Sequence, residues 1–386
     1  MSEWRRTTLG DVCELKRGYD LPALSREEGD VPIVSSGGIT GYHSTPKVRG
    51  PGVITGRYGT LGEVYFVSKD FWPLNTTLYV RDFKGNDPRF VAALLRSLDL
   101  GRYDGAAAVP GLNRNHLHHL SVLCPDADTQ RRISIILDTL DELIENNRRR
   151  IELLEQMAQA IYREWFVHLR YPGHEGKSLV DSPLGLVPNG WDVRPLADVA
   201  DLVMGQSPPS EHYNLDKIGK PFHQGVGDFG LLFPTNRKYC RVDGRSAMDG
   251  DVLISVRAPV GRLNVADGDT VIGRGLAAAR SSRGRQALLF RTLKEAVFAE
   301  EDSMGSGTIF KAIRKDELEQ VRVLCAPPAV EDMAEAILAD NLAMIRTLTR
   351  KNQLLVAFRD LLLPNLVTGK IPVSKLDLEA LVEAAG

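Results

Sequence analysis

No stretch of the sequence is apolar for long enough to cross a bilayer, which takes roughly 18–20 residues. The opening, MSEWRRTTLG, has no apolar core and does not read as a signal peptide. Cysteine is scarce. The four residues, Cys13, Cys124, Cys240 and Cys325, form no CxxC and no disulfide-dense spacing, which suits a reducing cytoplasm. An excess of one charge is missing too: 48 Lys and Arg face 50 Asp and Glu, for a net charge of −2. Bulk charge therefore neither supports nor excludes a nucleic-acid partner. Such a partner needs basic groups sorted onto one face by the fold.

Catalytic signatures are also lacking. There is no GxxxxGK[ST], and GVGDFG (225–230) and IGRGLA (272–277) are glycine-rich without opening a long amphipathic helix. G-x-S-x-G, H-E-x-x-H and a metal-nuclease set of paired acids with a following lysine are absent. HLHH (116–119) offers His116 and His119 as metal ligands, but an internal repeat puts Glu317 and Gln320 at the matching positions. A solvated helix face is the better reading, as it is for NNRRR (146–150). What is present is a globular composition, 43% hydrophobic and 25% charged, in 386 residues, more than one ordinary core needs.

The repeat organises the chain. WRRTTLGDVCELKRG (4–18) returns as WDVRPLADVADLVMG (191–205), with Trp4/Trp191, Leu9/Leu196, Asp11/Asp198, Val12/Val199, Leu15/Leu202 and Gly18/Gly205 at an offset of 187. GVITGRYGTLG (52–62) resembles DVLISVRAPVG (251–261), and HLHHLSVLCP matches ELEQVRVLCAP at offset 201. The second copy thus carries about fourteen extra residues, in a loop-rich middle where insertions cost least. Cys124 and Cys325 fall on equivalent apolar positions and read as core.

After each VLC the pattern turns helical. Residues 129–169 hold no Gly or Pro, and Ile133, Leu137, Leu140, Ile144, Asn147, Ile151, Leu154, Ala158, Ile161 and Trp165 alternate at spacings of four and three. That is a heptad seam, and about forty residues give a rod of roughly 60 Å. The second seam runs through Leu338, Asn341, Ile345, Leu348, Asn352, Leu355, Arg359 and Leu362. Each exposed stripe needs a partner, and the other helix supplies it. The expected fold is two globular α/β units in pseudo-twofold repeat, separated by two long helices that form an antiparallel coiled coil. Asn147 and Asn352, the polar breaks nearest mid-rod, are expected to meet and fix its register.

The expected boundaries are a first unit at 1–128, a helix at 129–169, a linker at 170–190, a second unit at 191–328, a helix at 329–365 and a tail at 366–386 with a last helix as its one candidate element. Strands are expected at Val53–Ile54, Val64–Val67, Leu78–Val80, Val252–Val256, Val271–Ile272 and Leu288–Phe290, with short helices near 88–98 and 293–300. Repeated turns place Arg57 and Arg257, Asn75 and Arg274, and Arg114 and Lys315 at roughly corresponding points. Such side chains on rigid loops can reach phosphates and base edges, and these six are the candidate DNA-binding residues. For any one of them, an ordinary surface turn is an equal reading.

With these residues in view, the chain resembles the specificity subunit of type I restriction–modification systems along nearly its whole length. The likeness lies in LGLVPNGWDVRPLADVADLVMGQSPPS (184–210), in AIYREWF (160–166) closing the first helix and in LLLPNLVTGKI (361–371) closing the second. The resemblance implies a non-catalytic subunit in the cytoplasm whose two target-recognition domains each read one half of an asymmetric double-stranded DNA site. The coiled coil would set the gap and dock methyltransferase subunits, two in number, with restriction subunits joining through that complex. It implies no cofactor in this chain, with S-adenosylmethionine, ATP and Mg²⁺ on the partners, no metal and no membrane. A coiled-coil scaffold without DNA, or an enzyme in its own right, remain the rival readings of the residues.

Overall fold

The computed structural model describes residues 4–103, 111–297 and 312–373. The chain divides into two compact units, Met1–Asn147 with Lys351–Gly386, and Arg148–Arg350. Each therefore contains one globular copy, the N-terminal half of its own long helix and the C-terminal half of the other.

In the first unit, Arg5–Thr8 pairs antiparallel with Ser121–Cys124, so the two motifs that flank the copy in sequence close it in space. A four-stranded sheet follows in the order Glu14–Arg17, Thr77–Asp82, Gly52–Gly56, Val64–Val67. A three-stranded sheet holds Gly38–His43, Val31–Ser35 and Trp72–Pro73, the last pair parallel. The second unit repeats the plan. Asp192–Pro195 pairs with Arg322–Cys325, and Ala200–Met204, Leu276–Ser281, Val252–Ser255 and Leu263–Val265 form its four-stranded sheet. Its smaller sheet has five strands and keeps the parallel pair, Lys220–His223 with Thr270–Ile272. Among the added strands, Tyr239–Cys240 and Ser246–Ala247 lie between Lys220–His223 and Val252–Ser255, where most of the extra residues of this copy fall.

The repeated glycine has a steric cause. A Cβ at Gly18 would lie 2.1 Å from the Leu74 carbonyl oxygen, and one at Gly205 would lie 2.2 Å from that of Gly273. Only glycine lets the two backbones approach so closely.

The run Leu288–Phe290, expected as a strand, lies inside the helix Gln286–Thr292. A short apolar run does not distinguish a strand from a buried helix. The deciding contact comes from elsewhere in the chain. Glu335 accepts the backbone N–H groups of Ala287 and Leu288 at 3.1 and 2.7 Å and so caps this helix. In the first unit, Pro88–Ser97 uses its own cap: Asp87 accepts from Arg89 and Phe90 at 2.9 Å, and Ser134 donates to the same carboxylate at 2.7 Å. The second short helix therefore begins earlier than 293, and part of the expected 293–300 segment lies outside the described residues. The expected linker holds a hairpin, Leu179–Ser182 against Gly185–Pro188, nucleated by a Ser-Pro-Leu-Gly turn in which Ser182 Oγ donates to the Gly185 carbonyl. Any helix in the tail beyond 373 lies outside the described residues.

The long helices span Ala127–Tyr162 and Pro328–Val367. In the first unit Ile133, Leu137 and Leu140 share a core with Leu355, Leu362 and Leu366, and the pairs Asn147–Asn352 and Asp141–Arg359 show that the helices run antiparallel. In the second unit Ile151 joins the core of Ile345, and Ala158 that of Ala334 and Leu338. The seam shifts at its end. Tyr162 and Phe166 are buried where Ile161 and Trp165 were expected, because an α-helix drifts about 20° per heptad from a 3.5 repeat and a π-helical turn follows at Arg163–Val167. Phe166 and Tyr171 there both pack on Trp191, with ring centroids 5.5 and 5.0 Å away. In the first unit Gly369, just past the other helix, takes the same place against Trp4. The repeated tryptophan thus seats the end of the other copy's helix.

Asn147 donates to Asn352 Oδ1 at 2.9 Å, and Asn352 donates to the Ile144 carbonyl at 3.1 Å. Asn147→Leu with Asn352→Leu should raise the melting temperature while allowing the helices to slip, seen as heterogeneous cross-linking between paired cysteines; a lower melting temperature contradicts this. Glu335→Ala should lower the stability of the second unit by about 1 kcal/mol, the usual cost of a lost cap, measured by urea unfolding.

Candidate nucleic-acid interface

Equivalent backbone hydrogen bonds put the two units in register. Arg57 N–H bonds the Thr76 carbonyl at 2.8 Å, and Val256 N–H bonds that of Gly275 at 2.9 Å. Arg57 therefore matches Val256, and Arg257 matches Tyr58. The two arginines are one position apart, because the second copy carries its arginine one residue later after the same strand. Gly18 N–H bonds the Thr77 carbonyl at 3.0 Å and Gly205 N–H that of Leu276 at 2.9 Å, so Asn75 and Arg274 are true equivalents. Arg114 and Lys315 are equivalents as well, each the first residue of a five-residue helix, Arg114–His118 and Lys315–Glu319.

Their surroundings differ. Arg57 lies over the Tyr58 ring, 4.4 Å from its centroid. Asn75 donates to the Asp20 carboxylate. Arg114 is exposed, while Lys315 pairs with Glu319 at 3.2 Å. In the second unit Arg257 and Arg274 line one open cleft of about 440 Å³ with Gln224, Gly225, Val226, Gly227, Ala258 and Gly275. Both arginines are exposed, and among the described residues neither forms an ion pair with a carboxylate. Gln224 is held by its N–H to Asp228 at 2.8 Å. A Cβ at Gly275 would sit 2.3 Å from the Gln224 oxygen, so glycine there keeps the two loops in contact. The glycine-rich strings set aside as nucleotide motifs are thus the walls of this cleft. Gln224 was missed because a lone glutamine carries no signal until the fold sets arginines beside it.

The HLHH segment is not uniform. His116 and His119 are exposed, while His118 Nε2 accepts the Leu15 N–H at 2.9 Å and ties the helix to the first strand of the sheet. Among the described residues no group of three His, Cys, Asp or Glu is placed to hold a metal, and no helix is long and apolar enough to cross a membrane. All four cysteines are buried.

Residues 1–156 match the type I restriction modification DNA specificity domain family. The chain is 33% identical over 258 residues to the putative type I restriction enzyme MjaX specificity subunit of Methanocaldococcus jannaschii, covering 65% of this chain and 60% of that protein. The chain thus aligns with about three fifths of that relative. It is 21% identical to the MjaIX specificity subunit of the same organism, over 97% of this chain and 95% of that one. The solved S subunit of a type I system from M. genitalium shares the fold, with a TM-score of 0.65 at 15% identity over 95% of this chain and 96% of that one. The class is that of paired α/β units joined by long helices. In sequence the chain is similar to type I restriction enzyme specificity subunits, its first 156 residues match the DNA specificity domain family, and it shares the fold of a solved S subunit.

Burial, and then the charge of Arg114, hold the His118 pKa below its ordinary 6.5. The unfolded chain binds more protons between the two values. Stability is therefore full above about pH 6.5 and falls as pH drops toward the folded pKa. His118→Gln, which keeps an acceptor, should remove this part of the pH dependence of unfolding; an unchanged profile contradicts the assignment.

Proposed function

We propose that the chain is a non-catalytic DNA specificity subunit of a type I restriction–modification complex, acting in the cytoplasm. Each unit recognises one half of a bipartite double-stranded site. The two halves differ in sequence, because the equivalent positions of the two units carry different side chains. The paired helices set the gap between the halves. Arg57, Asn75, Arg114, Arg257, Arg274 and Lys315 are the contacts offered to DNA, with Arg257 and Arg274 foremost.

The observation that carries this reading is the repetition of one frame with unlike polar loops. A scaffold has no need to place in one cleft Arg257 and Arg274, which have no carboxylate partner among the described residues. Exposed cations with no carboxylate partner among the described residues suit a polyanion such as DNA.

The long helices also carry large apolar side chains in water. Leu153 and Met157 are 53% and 55% exposed, and their sequence equivalents Leu354 and Phe358 are 73% and 41% exposed. Two like patches suit two copies of one partner, which supports docking of two methyltransferase subunits. S-adenosylmethionine, ATP and Mg²⁺ belong to the partner subunits, and this chain holds no cofactor and no metal of its own. Restriction subunits join through the methyltransferases.

Co-expression with a type I methyltransferase subunit from the same genome, in a host without DNA methylation, tests the proposal. Long-read mapping of modified bases should reveal one split, asymmetric motif that depends on this chain. Soluble, associated proteins that yield no motif contradict it.

A further inference from the structure

Three backbone positions frame the cleft of the second unit: the residue after strand Lys220–His223, the second residue after strand Val252–Ser255 and the second residue before strand Leu276–Ser281. They hold Gln224, Arg257 and Arg274. The same positions can be found in the first unit by hydrogen bonding. Gly273 N–H bonds the His223 carbonyl and Leu74 N–H bonds that of Val34, both at 2.8 Å, so Gln224 corresponds to Ser35. Tyr58 and Asn75 complete the set, by the equivalences already drawn.

Resting on the reading of the chain as a DNA specificity subunit, we infer that these three positions determine the sequence the second unit reads, and that its half-site contains guanine. The argument is one of hydrogen-bonding capacity. Arg presents a planar fork that matches O6 and N7 of guanine in the major groove, and Gln matches N6 and N7 of adenine. In the second unit all three side chains are exposed around one opening, and neither arginine is neutralised by a neighbouring carboxylate among the described residues. The backbones of two of the three are tied down: Arg274 N–H bonds Ser207 Oγ at 3.2 Å, and Gln224 N–H bonds Asp228. Rigid presentation is what base reading requires, whereas phosphate contacts tolerate flexible side chains.

The first unit presents different chemistry at the same places. Ser35 Oγ donates to the Gly38 carbonyl at 3.2 Å and accepts from Gly37, so it is spent on its own turn. Tyr58 is covered by Arg57, and Asn75 faces Asp20. None of the three residues is itself a cation. The first unit therefore does not read guanine through these positions, and the two half-sites differ there.

The test selects binding sequences from duplexes with a randomised central segment, using the full chain as wild type and as Arg257→Ala, Arg274→Ala, Gln224→Ala and, in the first unit, Asn75→Ala. All four residues are at least partly exposed, and matching thermal melts would show that the variants fold. The wild type should select a two-part motif with guanine in one part. Arg257→Ala and Arg274→Ala should each abolish a guanine preference in that part, weaken binding to the wild-type site about 5- to 150-fold and leave the other part and the salt slope unchanged. Uniform weakening across sequences, with a salt slope lower by about one, would assign these arginines to phosphates and overturn the inference. A two-part motif that all four variants retain overturns it as well. A wild type that selects no sequence removes the functional reading itself.

Discussion

Each long helix bears an apolar stripe that water cannot be left to cover, and in each unit the stripe is closed by the opposite end of the other helix. Much follows from this pairing. The core of the first unit takes Leu362, Leu366 and Val367 from near the far end of the chain, next to Ile133 and Leu137 from its own helix. The core of the second takes Ala158, Tyr162 and Phe166 from the first copy's helix. Neither copy has a complete core on its own residues. The charged contacts obey the same logic. Glu155, on the first helix, meets Arg291 of the second copy, an arginine only 4% exposed, together with Lys294. Burial raises the Glu155 pKa, but hydrogen bonding and charge from Arg291, with Lys294, outweigh it and hold the carboxylate below its usual range.

On this frame the two copies have kept what the backbone demands and changed what solvent sees. Gly18 and Gly205 remain because carbonyl oxygens stand where a Cβ would be. Leu117 and Leu318 remain because each is the fully buried residue of its short helix. The exposed side chains around the cleft follow no such constraint. Gln224, Arg257 and Arg274 stand where the first copy has Ser35, Tyr58 and Asn75, so one architecture presents two different sets of side chains.

The duplication, the long helices and the meeting of Asn147 with Asn352 were legible in the sequence, because each is written in periodicity or in identities at fixed offset. The strand at Leu288–Phe290 was misread, because the carboxylate that makes it a helix sits on Glu335, outside any local window. The linker hairpin was missed because its strands are short and mostly exposed, with little alternation to mark them. At the interface, Arg114 and Lys315 were correctly matched, since a short helix and the motif behind it travel together. Arg57 and Arg257 were paired on likeness of sequence, and only the ladder of hydrogen bonds reveals the step of one residue between them. Gln224 lay outside reach, since its meaning comes from neighbours 33 and 50 residues away in the chain.

The central claim is that each globular copy reads its own half of a DNA target on a shared helical frame. The most direct measurement is an exchange of residues 191–328 for the corresponding segment of a type I specificity subunit with a different target, both long helices being retained, followed by mapping of the methylated motif. The account predicts that one half of the motif changes to that of the donor while the other half stays as it was. A motif that changes in both halves, or in neither, would contradict it.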